Sequence, residues 1–403
     1  MQKKAGEPML PLRIIDLNFN LIDEITKYES LQLTRKWHEI GEIELKINRY
    51  IRGVNQLTKD RIIFPNNQLH KVYQIKHREI ELDENGKETE NWIIKAKPLK
   101  SWLSQRLILP PDGKSNDVIN DNAETVMKHY VDLCAVNPVD VKRKIPNLVI
   151  APDQKRGDVI NRSARFDVLS DEMTTISQLS GLGWNISVDI KNKQFVFDVV
   201  EGVNRVATQR DNPPVIFSPE FNSLKSMGYT ESYLDYKNMA YIAGQGEGVD
   251  RRVITIGDTT SGLDRYELFV DARDVEEVTQ EDGTDESGMP TTVDVPRPIA
   301  DIESDLTNRG NEKLSEHSQE IYMEGQILTK SPFIYERDWD LGDITTQQNK
   351  NWGITMDARI TEVKEIYEAG NPKRIEVVFD KDKPTIISII KRQFKNMNPV
   401  IKQ

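Results

Sequence analysis

The sequence predicts an α+β fold dominated by antiparallel strands. Three observations predict it: apolar residues alternate with polar ones across residues 1–108, a helix-bearing stretch follows the break at Pro110 and Pro111, and alternation returns from residue 213.

The elements follow in order. Leu31 and Leu33, then Ile43, Leu45 and Ile47, stand between polar neighbours, the period of half-buried strands. Asn85–Gly86 lies between two apolar segments and predicts a hairpin with a longer loop. Residues 1–108 therefore read as an antiparallel barrel or sandwich. Pro110, Pro111 and Gly113 break the pattern, and a helix capped around Asn120–Asn122 is expected to follow. Val126, Met127, Tyr130, Val131 and Cys134 share one helical face, which makes Cys134 a small core residue rather than a nucleophile. His129 falls off that stripe and is expected in solvent. A second helix carries Leu169, Met173, Ile176 and Leu179 and ends at Gly181 as its C-cap. Trp184, Ile186, Val188 and Ile190 then alternate, the chain turns at Asn192, and Phe195, Phe197 and Val199 resume. Residues 109–212 thus predict an α+β insert.

Gly244, Gly246 and Gly248 in "YIAGQGEGVDRRVI" raise the question of a phosphate-binding loop. Such a loop needs a helix immediately after it. Here Val253, Ile254, Thr255 and Ile256 follow, a β-branched run of strand character. The glycines predict a connection between two strands. The acidic stretch 275–290 predicts a solvated loop; Glu281, Asp282, Asp285 and Glu286 offer hard oxygens, but not at EF-hand spacing. Pro298 suits a helix first turn, with Ile299, Ile302, Leu306 and Leu314 on one stripe. Gly310 inside it costs about 1 kcal/mol against Ala, so a close packing contact is expected there. Residues 257–318 form this acidic-loop and helix subdomain, interrupting a second β-rich domain of residues 213–256 and 319–385. That domain holds strands at "EIYMEGQIL" and "WGITMDARITEV" and a hairpin around Gly370, Asn371 and Pro372. In the tail, 386–403, Ile386, Ile389, Ile390 and Phe394 take helical spacing beside Lys391, Arg392 and Lys395; it is expected to dock on its own body or on a partner.

Composition narrows function. The 403 residues are 37% hydrophobic and 30% charged, with a net charge of −11, and the mean hydropathy is −0.58. An acidic chain without a basic segment argues against binding the nucleic-acid backbone. No apolar run is long enough for a membrane span, and the N-terminus has no signal-peptide core. The single cysteine excludes an internal disulfide, and the five histidines form no ligand-like pair. No catalytic, cofactor-binding or metal-binding residue is singled out, and no cofactor is expected.

Two long stretches, "YIAGQGEGVDRRVITIGDTTSGLDRYELFVDARDV" and "DWDLGDITTQQNKNWGITMDARITEVKEIYEAGNPKRIEVVFDKDKPT", resemble the phage tail hub family, as do "DNAETVMKHYVDL", "SGLGWNISVDI" and the opening "LNFNLIDEITKYESLQLTRKWHEIGEIELKI". That family includes the siphophage tail hubs, with the N-terminal part of tail-associated lysins, and the central baseplate hub of contractile tails. The resemblance implies two related β-barrel domains per subunit and a homotrimer. Three subunits would make a pseudo-sixfold ring joining the hexameric tail tube to a threefold tip in the virion tail. It also implies that Leu341, Gly342, Asp343, Trp352 and Gly353 are fold markers serving strands and turns. Expected neighbours are a tail tube or distal tail protein and a tape-measure protein. Tail-associated lysins continue into a peptidase or fibre-binding region, whereas this chain stops at Gln403. Any spike, fibre or lysin is therefore expected as a separate chain. An acidic wall would let DNA slide through the ring without sticking. The competing readings are a carbohydrate hydrolase, for which two carboxylates suffice, and a glycan-binding module using Trp37, Trp102 or Trp339 as a stacking surface. The bland alternative for those tryptophans is a place in the cores or subunit contacts.

Overall fold

The computed structural model describes residues 9–66, 68–81, 90–284 and 290–380. The Asn85–Gly86 turn, Asp285, Glu286 and the tail 386–403 lie outside the described residues. The chain divides into two compact units, the larger reaching to Tyr229 and resuming at Tyr322, the smaller spanning Thr230–Ile321.

In the larger unit the chain opens with β1 (Leu12–Ile15), β2 (Leu21–Ile25), β3 (Ser30–Lys36), β4 (Glu42–Asn48), β5 (Ile62–Pro65), β6 (Tyr73–Glu79) and β7 (Asn91–Pro98). They pair antiparallel in the order β2-β1-β5-β6-β7-β4-β3. The predicted alternation is realised in register: Leu31 faces Leu45 and Leu33 faces Ile43, and all four are fully buried. Burying each such side chain contributes about 1.5–3 kcal/mol, and a slip of one residue would turn the whole set to water.

The insert begins with β8 (Asp117–Asn122) and α1 (Ala123–Val131), which runs into a π-helical turn at Asp132–Val136. After β9 (Leu148–Ile150) and β10 (Val159–Ala164) come α2 (Leu169–Ser180), β11 (Gly183–Asp189) and β12 (Gln194–Val200). β8 pairs with β10, and β12 lies between β11 and β9. Asn122 takes the N-cap position of α1 without a side-chain cap bond. Gly181 ends α2 at φ 72°, a left-handed C-cap that glycine adopts without a Cβ clash. Val126, Met127, Tyr130, Val131 and Cys134 are buried together with Phe19, Phe64 and Trp102 of the first segment, so the insert shares a core with the strands before it. Two expectations need correction. His129 is only 30% exposed because its Nε2 reaches Asp117 Oδ1 at 3.0 Å. Leu179 is 41% exposed, so the apolar stripe of α2 stops one turn early.

β13 (Asn204–Arg205), β14 (Ile216–Phe217) and β15 (Leu224–Ser232) lead to the smaller unit. There, β16 (Met239–Ala243) lies between β17 (Val253–Gly257), antiparallel to it, and β18 (Glu267–Asp271), parallel to it. The three glycines sit in the link from β16 to β17, with no helix beyond a single 3-10 turn at Gly248–Asp250. Part of the acidic stretch expected as a loop is instead strand: β19 (Val278–Thr284) pairs with β20 (Pro290–Pro296). β-branched Val and Thr residues on both strands outweigh the turn-like composition between them. α3 (Ile299–Glu316) covers one face of the three-stranded sheet. A Cβ on Gly310 would come within 2.6 Å of Ile242 Cγ1, which explains a glycine at that cost. Ile302 and Leu306 are buried as expected, whereas Ile299 in the first turn is 58% exposed.

The larger unit is completed by β21 (Glu320–Ile327), β22 (Ile344–Asn349), β23 (Ile354–Glu368) and β24 (Arg374–Asp380). The fifteen-residue β23 is the weld of the molecule. Its first part pairs with β22, and its second part pairs with β24 on one side and β3 on the other. One continuous path therefore runs β15-β21-β24-β23-β3-β4-β7-β6-β5-β1-β2. Among the described residues no pairing joins its two ends.

Candidate functional site

Where β3, β6 and β23 meet, the strand pattern places charges inside. Glu365 on β23 and Lys71, just before β6, have side chains with no solvent exposure, and Lys71 Nζ donates to Glu365 Oε1 at 2.5 Å. Lys71 also reaches Glu336 at 2.7 Å, and Lys373 reaches the other Glu365 oxygen at 2.6 Å. Tyr367 donates its hydroxyl to Glu365 at 2.7 Å. Arg35 on β3 donates to Asp340 at 2.9 Å and to the Tyr335 hydroxyl at 2.7 Å. Burial alone would raise the carboxyl of Glu365, but Lys71 and Lys373 bring it below its ordinary value. Glu336 is likewise opposed by burial, and His70, Lys71 and Arg35 together hold it down at about 2. Its backbone has φ 64°, a left-handed conformation costing a side-chain-bearing residue about 1–2 kcal/mol. The cations gathered around its carboxylate offset that strain.

Beside this cluster, Trp37 is wedged between two glycines. Its Nε1 donates to Gly181 O at 3.0 Å. A Cβ on Gly183 would lie 2.6 Å from the ring, and one on Gly342, at φ 95°, would lie 2.1 Å from it. Asp343 fastens the same loop: its carboxylate accepts from Val203 N at 2.9 Å and from Arg205 Nε at 2.8 Å. Leu341, Gly342 and Asp343 thus form the clamp that holds the last segment against the first strands and the insert. Trp352 and Gly353 make the turn between β22 and β23, with Gly353 at φ 69°. A cleft of about 430 Å³ opens at this junction, lined by residues of all three segments, including Lys71, Trp184 and Glu336.

The nucleophiles near these elements are closed off. Cys134 is buried, and burial pushes its thiol above the ordinary value. Ser177 is fully buried and donates its hydroxyl to Leu182 O. Its neighbour His38, at 2.7 Å, is held down to about 3 by burial and by Arg359 and Lys100, so the pair is a packed hydrogen bond. Trp37 and Trp102 are 6% exposed and Trp339 is 1% exposed, so none offers a stacking surface for a sugar. Among the described residues no three His, Cys, Asp or Glu side chains converge on a metal-sized site. Sequence reasoning missed Lys71, Glu336 and Glu365. Lys71 lies hundreds of positions from Glu336 and Glu365, and the signal that could have found Glu365 is weak: a carboxylate on the inward phase of β23.

The comparisons with known proteins bear on this geometry. A model of the siphovirus ReqiPepy6 Gp37-like protein family matches residues 11–379. The chain belongs to that family. Three solved structures are similar. The 43 kDa tail protein of prophage MuSo2 from Shewanella oneidensis has a TM-score of 0.56 at 9% identity, over 92% of this chain and 98% of that one. The tail protein from Neisseria meningitidis MC58 has a TM-score of 0.52 at 11% identity, over 93% and 97%. Prophage tail protein gp18 from Listeria monocytogenes EGD-e has a TM-score of 0.49 at 12% identity, over 96% and 99%. Among curated proteins a sequence comparison finds no match. This member of the Gp37-like family therefore has a fold shared with phage tail proteins along nearly its whole length. The junction clamp and its ion cluster lie within the matched span.

Proposed function

We propose that the protein is the structural hub of a phage tail tip or baseplate, or of a tail-derived particle, and not an enzyme. The observation that carries this reading is the end-to-end match of its fold to two phage tail proteins. Residues 1–108 form one barrel-like domain and residues 213–256 with 319–385 a related second one, separated by the insert 109–212. The helix-bearing segment 257–318 interrupts the second domain. Three subunits then present six related β-domains, which reconciles a sixfold tail tube with a threefold tip. The acidic composition suits a ring through which DNA slides. A tube or distal tail protein, a tape-measure protein and a separate spike, fibre or lysin are its neighbours in the virion tail, assembled in the host cytoplasm. The burial of Trp37, Trp102 and Trp339 leaves glycan stacking on those rings without an observation in its favour. The test is mass in solution by light scattering over a concentration series. A species near three times 46.4 kDa is expected. A strict monomer that adding tube or spike protein fails to assemble would overturn the hub reading.

A further inference from the structure

The three-stranded sheet of the smaller unit has one face covered and one bare. Ala240, Ile242 and Val270 pack with Ile302 and Leu306 beneath α3. Side chains alternate along a strand, so the residues between them point the other way: Tyr241 on β16, Val253 and Thr255 on β17, and Glu267, Phe269 and Asp271 on β18. Tyr241 stands opposite Thr255 on one side and Phe269 on the other. Phe269 is 62% and Val253 52% exposed, and Thr255 is exposed as well.

Two ion pairs bracket this aromatic strip. At one end Arg265 Nε donates to Glu267 Oε1 at 2.6 Å, and its Nη2 donates to the Tyr241 hydroxyl at 3.1 Å. At the other end Arg251 donates to Asp271 Oδ1 at 2.5 Å and to the carbonyls of Ala243 and Gly244. The Arg251 guanidinium lies 5.9 Å from the Phe269 ring centroid. Each carboxylate is thus held in place by a guanidinium, yet among the described residues Glu267 Oε2 and Asp271 Oδ2 have no hydrogen-bond partner. The two acids stand four residues apart on β18, about 13 Å along the strand.

This chemistry selects the ligand. The paired charges cancel, so the strip has no field to draw in a phosphate or another ion. A protein surface laid over it would take both ion pairs out of water, which is costly even for paired charges. A neutral hydroxylated ligand avoids both penalties: its hydroxyls replace water at the two carboxylates, and its ring C–H groups lie against the negative faces of the aromatic rings. A flat aromatic face is met best by a sugar whose hydroxyls are equatorial, since only C–H bonds then project from the faces of its ring. We propose that this bare face binds a neutral glycan of gluco-configured pyranoses, stacked on Phe269 and Tyr241 and hydrogen-bonded by Glu267 and Asp271. The site goes beyond the hub reading and does not depend on it, because every residue in it comes from one subunit.

Isothermal titration calorimetry on the full chain tests it with cellohexaose and chitohexaose, and with heparin as a polyanionic control. At least one neutral hexasaccharide is expected to bind with a dissociation constant of about 1 mM or below, and heparin is expected not to bind. Phe269→Ala should weaken binding about tenfold, whereas Phe269→Tyr should retain it. Thermal melting checks that the exposed substitution leaves the fold intact, and Phe269→Leu, which keeps apolar bulk but removes the ring, serves if the alanine variant unfolds. Failure of both neutral sugars to bind at millimolar concentration, or binding of heparin alone, overturns the site and leaves the hub reading standing. A Phe269→Ala protein that binds sugar like the wild type but self-associates more weakly in light scattering shows the face to be a protein contact, which also overturns it. A chain that stays monomeric with tube or spike protein and still binds the sugars overturns the hub reading alone.

Discussion

Gly342→Ala probes the clamp at its tightest point. The new methyl would sit 2.1 Å from Cζ3 of Trp37 and 2.4 Å from two further ring atoms, where carbon atoms need about 3.5–4.0 Å. The ring cannot simply retreat, since Nε1 is hydrogen-bonded to Gly181 O at 3.0 Å and Gly183 closes the other side. Backbone strain at φ 95° adds about 1–2 kcal/mol, and overpacking adds about 1–3 kcal/mol. The expected loss is therefore about 2–5 kcal/mol of unfolding free energy. Gly353→Ala is the control: φ is 69°, but nothing lies within 4 Å of its Cβ. Strain there is partly offset by the stiffer unfolded chain, which leaves a loss of about 1 kcal/mol. Urea unfolding followed by tryptophan fluorescence reads both variants. If the two differ by less than about 1 kcal/mol, the Trp37 contact is not what requires a glycine at position 342.

The ion cluster yields two further predictions. Lys71→Met strands Glu365 and Glu336 without their shared cation and should cost about 3–5 kcal/mol; adding Glu365→Gln should cost less than the sum of the single changes, and strict additivity in a double-mutant cycle would show that the pair does not interact. Glu336, ordinarily near 4.5, lies at about 2 in the folded protein, so the unfolded chain takes up its proton first as pH falls. Its contribution is fully present above about pH 4.5 and is lost toward pH 2, a change of about 1–3 kcal/mol after solvent screening. Glu336→Gln should flatten that part of the stability–pH curve, and an unchanged slope would refute the assignment.

Local physics made much of the molecule legible. Alternation located β3, β4, β11, β12 and β23, because a half-buried strand has a period of two whatever it pairs with. Helical spacing and a glycine C-cap located α2, and a β-branched run after Gly248 settled that the glycines join strands. The place of Gly310 could be anticipated from its propensity cost alone. The stretch 275–290 was not legible, because its charge and turn residues read as loop while cross-strand pairing decides for a hairpin. Nor was the exposure of Leu179, since periodicity sets a face but not how far the neighbouring core extends. The sequence by itself thus determined the main alternating strands and the amphipathic helices, a β-dominated α+β class, and a resemblance to tail hubs. Only the tertiary structure decided that β23 pairs with β3, that Lys71 meets Glu365, and that Gly342 closes on Trp37. Those contacts join residues about 300 positions apart, and no local periodicity encodes which distant partner a buried charge or a missing Cβ will meet.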